Sequence, residues 1–141
     1  MYAVITADKP FARDMRERGW KLKRDVEVEH DLVVMDICGF HHPEEGLIHG
    51  NRMAIRALEL DANLGQRHAE ALLERQNFIP HSWTNFYLIF PGTVWNDPQG
   101  KRRVPFLGYN SDTGKWVLDF ILLDQENWCG IDKLMRAYPA A

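Results

Sequence analysis

The sequence predicts an α+β fold: a single domain over residues 1–141, with an antiparallel β-meander in the C-terminal half packed against several short helices. Three observations predict it. Beyond Pro80 the chain breaks into short aromatic and β-branched runs separated by turn sequences. Before Pro80, and again near the C-terminus, apolar residues recur at helical spacing. The apolar and charged fractions, 45% and 26%, are those of a chain that buries one hydrophobic core.

In the mixed strand and helix half, residues 1–79, Tyr2 to Thr6 reads as a short buried strand. Asp8 stands just before Pro10, Phe11 and Met15 lie four apart, and Gly19 is a natural stop, which predicts a helix over 9–18. Trp20, Leu22, Val26 and Val28 alternate with charged residues like a half-exposed strand pair. Leu32 to Phe40 is dense enough to be a central strand, and His41 to Gly46 has loop composition. Residues 48–60 fit a helix better than a strand, with Met53, Ala54, Ala57 and Leu58 on one face. Asn63 is the expected cap of a further helix through Gln76, with Leu64, Ala71 and Leu72 inward and His68 and Glu74 outward.

Residues 80–141 are expected to hold the meander and one helix. The strand candidates are Trp83 to Phe90, Thr93 to Trp95, Arg103 to Tyr109 and Lys115 to Leu123. Residues 96–100 and 110–114 carry the turn chemistry between them. A final helix, roughly Glu126 to Tyr138, places Trp128, Ile131, Leu134 and Met135 inward.

Charge is segregated along the chain. Lys9 to Arg24 holds seven basic residues against Asp14 and Glu17, and Asp25 to His49 holds seven acidic residues and no Lys or Arg. With a net charge of −3, bulk nucleic-acid binding is not expected. No apolar run has the length of a membrane span and the N-terminus lacks a signal pattern, so the expectation is a soluble, cytoplasmic protein without a membrane partner. Cys38 and Cys129 are too few for a disulfide framework.

Cys38, His41, His42 and His49 are metal-ligand types inside an acidic surround, with Glu44 or Glu45 as a base, and they define a metal-binding or metal-dependent alternative. Adjacent histidines on a strand would point to opposite faces, and HExxH is absent, so a solvated loop is the plainer reading. Ser82 and Ser111 lie in no GxSxG elbow. The acid pairs Glu27/Glu29 and Asp119/Asp124 are ordinary strand solvation. No phosphate-binding glycine loop occurs, so no nucleotide cofactor is expected.

Lys101, Arg102 and Arg103, near Trp95, Phe106 and Tyr109, would suit a single-stranded nucleic acid if they shared one exposed face. Asn110, Gly114-x-x-x-Leu118-Asp119 and Trp128 resemble a short stretch of the core of ubiquitin-conjugating enzymes. Val117 stands where the catalytic cysteine would belong, so the resemblance implies no activity here.

With no catalytic constellation, the expected function is a small protein-interaction domain of adaptor, inhibitor or immunity type, rather than an enzyme. Its contact surface would be the acidic band, with Glu27, Glu29, Asp31, Glu44 and Glu45 meeting a basic protein partner, or the basic rim of Lys101, Arg102 and Arg103. The alternative is that the two bands neutralise each other within the molecule.

Overall fold

Two tight turns shape the C-terminal strands. Gly100 (φ 79°) and Gly114 (φ 68°) adopt left-handed backbone that glycine enters at least cost. Asp97 Oδ1 accepts from the amides of Gln99 and Lys101, and Asn110 Oδ1 from that of Asp112, so each loop is closed by its own first residue.

The computed structural model describes residues 3–7, 9–28 and 32–137. Its elements are β1 (Ala3–Thr6), β2 (Lys21–Arg24), β3 (Leu32–Cys38), α1 (Gly50–Glu59), α2 (Gln66–Glu74), β4 (Tyr87–Ile89), β5 (Val94–Asn96), β6 (Arg102–Asn110), β7 (Lys115–Leu122) and β8 (Asp132–Ala137). The eight strands form one mixed sheet in the order β1-β3-β8-β4-β6-β5-β2, with β7 on the other edge of β6. The β4–β8 pairing is parallel and the others are antiparallel.

The sheet forks at β6. Its first residues pair with β5 and its later ones with β4, while β7 runs along its whole length. Between β4 and β5 the chain leaves the ladder after Phe90, whose N–H still donates to Pro105 O, and Gly92 N–H donates to Leu64 O at 2.9 Å. A Cβ on Gly92 would lie 2.4 Å from Asn63 O, so only glycine permits this approach.

Helices cover both faces. On one, α2 packs with Ile5, Met35, Leu88, Leu107, Leu118 and Met135. On the other, α1 packs through Met53 and Ala57 with Phe40, Ile89, Val104, Trp128 and Leu134. Consecutive residues such as Leu88 and Ile89, or Leu134 and Met135, enter opposite cores, as strands buried on both faces require.

Several expectations are corrected. The segment 9–18 holds only a 3-10 turn, Met15–Arg18, capped by Asp14. The amides of Ala12 and Arg13 donate to the Glu70 carboxylate at 2.9 and 2.7 Å, so a tertiary acceptor replaces helical carbonyls. The second helix starts after Gly65 rather than Asn63, and His68 is buried (4% exposed), its Nδ1 accepting from Gly65 N–H at 3.1 Å.

The expected helix at 126–138 is instead a loop followed by β8. Trp128 bridges to Ile48, and β8 fills the gap between β3 and β4. A gap with unsatisfied edges on both sides outweighs helical spacing. The architecture is therefore α+β with a mixed sheet and two α-helices, and the meander proper is the β5–β6–β7 part. Tyr2, Asp8 and Tyr138 lie outside the described residues.

Candidate functional site

The residues singled out as metal ligands are held by separate structural duties. Cys38 ends β3, half-buried, beside its β8 partner Leu134. His41 Nε2 donates to Gly46 O at 2.7 Å, which makes Nε2 the protonated nitrogen. His42 is exposed and its Nδ1 lies 3.7 Å from Glu45. His49 caps α1, its Nδ1 accepting from Asn51 N–H at 3.0 Å. Among the described residues no group of three or more His, Cys, Asp or Glu side chains is placed to hold a metal ion.

The acidic band is divided in the same way. Glu45 forms a bidentate pair with Arg56, at 2.6 and 2.8 Å, and also accepts from His42 N–H. The Arg56 guanidinium draws the Glu45 carboxyl down to about 2. Asp25 accepts from Thr93 Oγ1 and lies 3.7 Å from Arg67. Glu27 and Glu44 are exposed; Glu29, His30 and Asp31 lie outside the described residues.

In the basic band, Lys9 pairs with Glu74 and Arg16 with Asp14. Among the described residues, then, the ion pairs of each band are made with other partners, not across the two bands. On the basic rim Lys101 is exposed, Arg102 pairs with Asp124, and Arg103 pairs with Asp97 while lying over Trp20. Trp95 is fully buried, and Phe106 faces away from Arg103 by strand alternation. The rim and its aromatics do not form one exposed face.

What remains is the part of the sheet that α1 leaves bare. On this face the register sets Tyr87 and Ile89 of β4 beside Gly108 and Phe106 of β6, these beside Val117 and Asp119 of β7, and Val104 beside Ile121. Tyr87, Val117 and Ile131 are 46%, 46% and 51% exposed, too much apolar surface in one place for scattered chance exposure.

Two concavities adjoin here, with the Phe106 ring between them. One, of about 410 Å³, is lined by Tyr109, Asn110, Ser111, Val117 and Asp119. The other, of about 380 Å³, is lined by Tyr87, Ile89, Ile121, Asn127, Ile131 and Asp132, with Cys129. Both have the size of small ligand or side-chain pockets. Tyr87 and Phe106 meet edge to face, centroids 5.8 Å apart at 86°.

Asp132 is buried (7% exposed), and burial pushes its carboxyl above the ordinary aspartate value against the hydrogen bond from the Cys129 N–H. The Cys129 N–H donates to Asp132 Oδ2 at 3.0 Å.

The adjoining edge of β7 is closed. Five side chains bond its main chain: Gln76 Oε1 accepts from Trp116 N–H, Arg13 Nη1 donates to Leu118 O, Asp119 Oδ1 accepts from Phe120 N–H, Arg103 Nη1 donates to Phe120 O, and Gln125 Nε2 donates to Leu122 O. These are the alternate residues whose backbone groups point away from β6. A partner strand would find these sites taken, so the face, and not this edge, is open to contact.

This face is not among the surfaces that the sequence predicts. Its signal is in Lys115 to Leu122: Trp116, Leu118 and Phe120 are the buried set, yet Val117 and Ile121 put apolar side chains on the opposite face too. No family model, curated protein or solved structure matches the chain.

Proposed function

We propose that this chain is a protein-interaction domain that docks a segment of a partner protein across the open face of β4, β6 and β7. The observation that supports it is the run of Tyr87, Phe106, Val117 and Ile131, uncovered by either helix and dished into two adjoining hollows. Carboxylates are set into both hollows, Asp119 in one and Asp132 in the other. Charge complementarity therefore selects a partner segment with apolar side chains and a basic residue. This keeps a basic protein partner but moves the contact away from the 25–49 band.

Site-specific photo-crosslinking tests the reading. Benzoylphenylalanine placed at position 117 should give adducts whose crosslinked partner peptide carries a Lys or Arg among apolar residues. The same probe at exposed position 55 on α1 should not give that adduct, and Tyr87→Glu should abolish it. Adducts at 55 alone, or an adduct at 117 only with a second copy of this chain, would overturn the proposal.

A further inference from the structure

We propose that the hollow bounded by Tyr87, Phe106, Ile131 and Asp132 is a receptor for one basic side chain of the partner. The inference rests on the docking role of this face and names the group that the face selects. Parallel pairing places Tyr87 beside Asp132, and antiparallel pairing places Ile89 beside Phe106, so one face presents two rings and the buried carboxylate together.

Asp132 is a charge short of a counter-charge. Its hydrogen-bond donor is the Cys129 backbone N–H, which is neutral. His41 is the nearby base, and among the described residues it makes no ion-pair contact with Asp132. Lys133, next in sequence, points to the opposite face, where its ammonium lies 5.0 Å from the Phe86 ring centre. Among the described residues no Lys or Arg pairs with Asp132. A buried carboxylate is costly without a cation, and a cavity opening onto it is where one can be supplied.

The rest of the hollow suits the same occupant. Ile89, Ile121 and Ile131 offer apolar walls to the methylene stem of a lysine or arginine, and the perpendicular pair of Tyr87 and Phe106 lets π faces flank its charged end. A volume of about 380 Å³ accommodates such a side chain. A neutral aliphatic group would fill the walls and leave the carboxylate unanswered. An acidic one would be repelled.

The test is an NMR titration of the protein with acetyl-Ala-Leu-Lys-Leu-Ala-amide and with the same peptide carrying norleucine or Nε-acetyl-lysine in place of lysine. The lysine peptide should shift the amides of Tyr87, Phe106, Cys129 and Asp132. Both neutral peptides should bind about tenfold more weakly or worse. Asp132→Asn, which keeps an acceptor for Cys129 N–H, should erase the preference for lysine. Tyr87→Leu, at an exposed position that leaves the core intact, should weaken the lysine peptide more than the norleucine one.

Equal binding of lysine and norleucine peptides, or shifts confined to other surfaces, would overturn the inference. The two readings separate cleanly. Adducts at position 117 that persist unchanged in Asp132→Asn sink the receptor and leave the docking face. Lysine-selective shifts without any adduct at 117 leave the receptor and sink the docking face.

Discussion

Glu45 and Arg56 clasp each other across the loop that joins β3 to α1: both guanidinium nitrogens reach the carboxylate, and Arg56 Nη1 also donates to Phe40 O at 2.9 Å. The pair ties the loop to the middle of α1. Because Arg56 lowers the Glu45 carboxyl to about 2, its stabilisation is fully present above the ordinary glutamate range near 4.5 and is lost as pH falls through 2. Glu45→Gln should lower the melting temperature at pH 7 and flatten the decline in melting temperature between pH 4.5 and 2. Thermal melts across that range check it.

His68 acts at higher pH. Burial lowers its pKa from 6.5 to about 4, so between those values the unfolded chain holds more protons than the folded one. Stability therefore falls as pH drops from 6.5 towards 4, by about 3 kcal/mol in all, and is untouched above pH 7. Urea unfolding at pH 7 and pH 4 measures the difference. In His68→Gln that part of the pH dependence should vanish.

Gly50 opens α1, where alanine would ordinarily strengthen a helix. Here a Cβ would fall 1.7 Å from Leu123 O and 2.9 Å from Trp128 Nε1. Gly50→Ala should therefore destabilise the protein by roughly 1–3 kcal/mol, the reverse of the propensity effect. Trp128→Ala, which empties a fully buried site, should cost roughly 3–5 kcal/mol. Denaturant midpoints decide both.

Gln76 closes the β7 edge at Trp116, whose N–H it accepts at 3.0 Å. Gln76→Leu should leave that amide without its side-chain partner and speed its hydrogen exchange, with little change at Val117, whose backbone turns towards β6. Amide exchange followed by NMR resolves the two neighbours.

The hairpin of β6 and β7 was legible because local signals agree there: Asn110 and Gly114 make the turn, and Trp116, Leu118 and Phe120 alternate into the core. The helix α1 was legible for the same reason, from Met53 and Ala57. The unread parts are those that distant residues decide. Nothing local announces that Ala12 and Arg13 will hydrogen-bond to Glu70, or that Gln66 and Glu70 on one face of α2 and His68 on the other will all be buried.

The stretch from Trp128 to Met135 satisfies helical spacing and strand burial alike, and only the gap between β3 and β4 decides between them. The histidines looked like one cluster because they are neighbours in sequence. Instead the loop bonds His41, the helix cap takes His49, and His42 stays exposed. The open face of Tyr87, Phe106 and Val117 is assembled from three strands, and Asp132 of β8 joins it, so no window of sequence displays it.

The place of β8 sets the timetable of assembly. It is the last of the eight strands to leave the ribosome, yet it lies in the middle, joining the paired β1 and β3 to β4. Until it emerges, β3 and β4 each keep a raw apolar edge, and the chain made so far cannot close its sheet. Its arrival is thus the step that completes the sheet. A nascent chain stalled before Asp132 would be a client for chaperones rather than a smaller working domain.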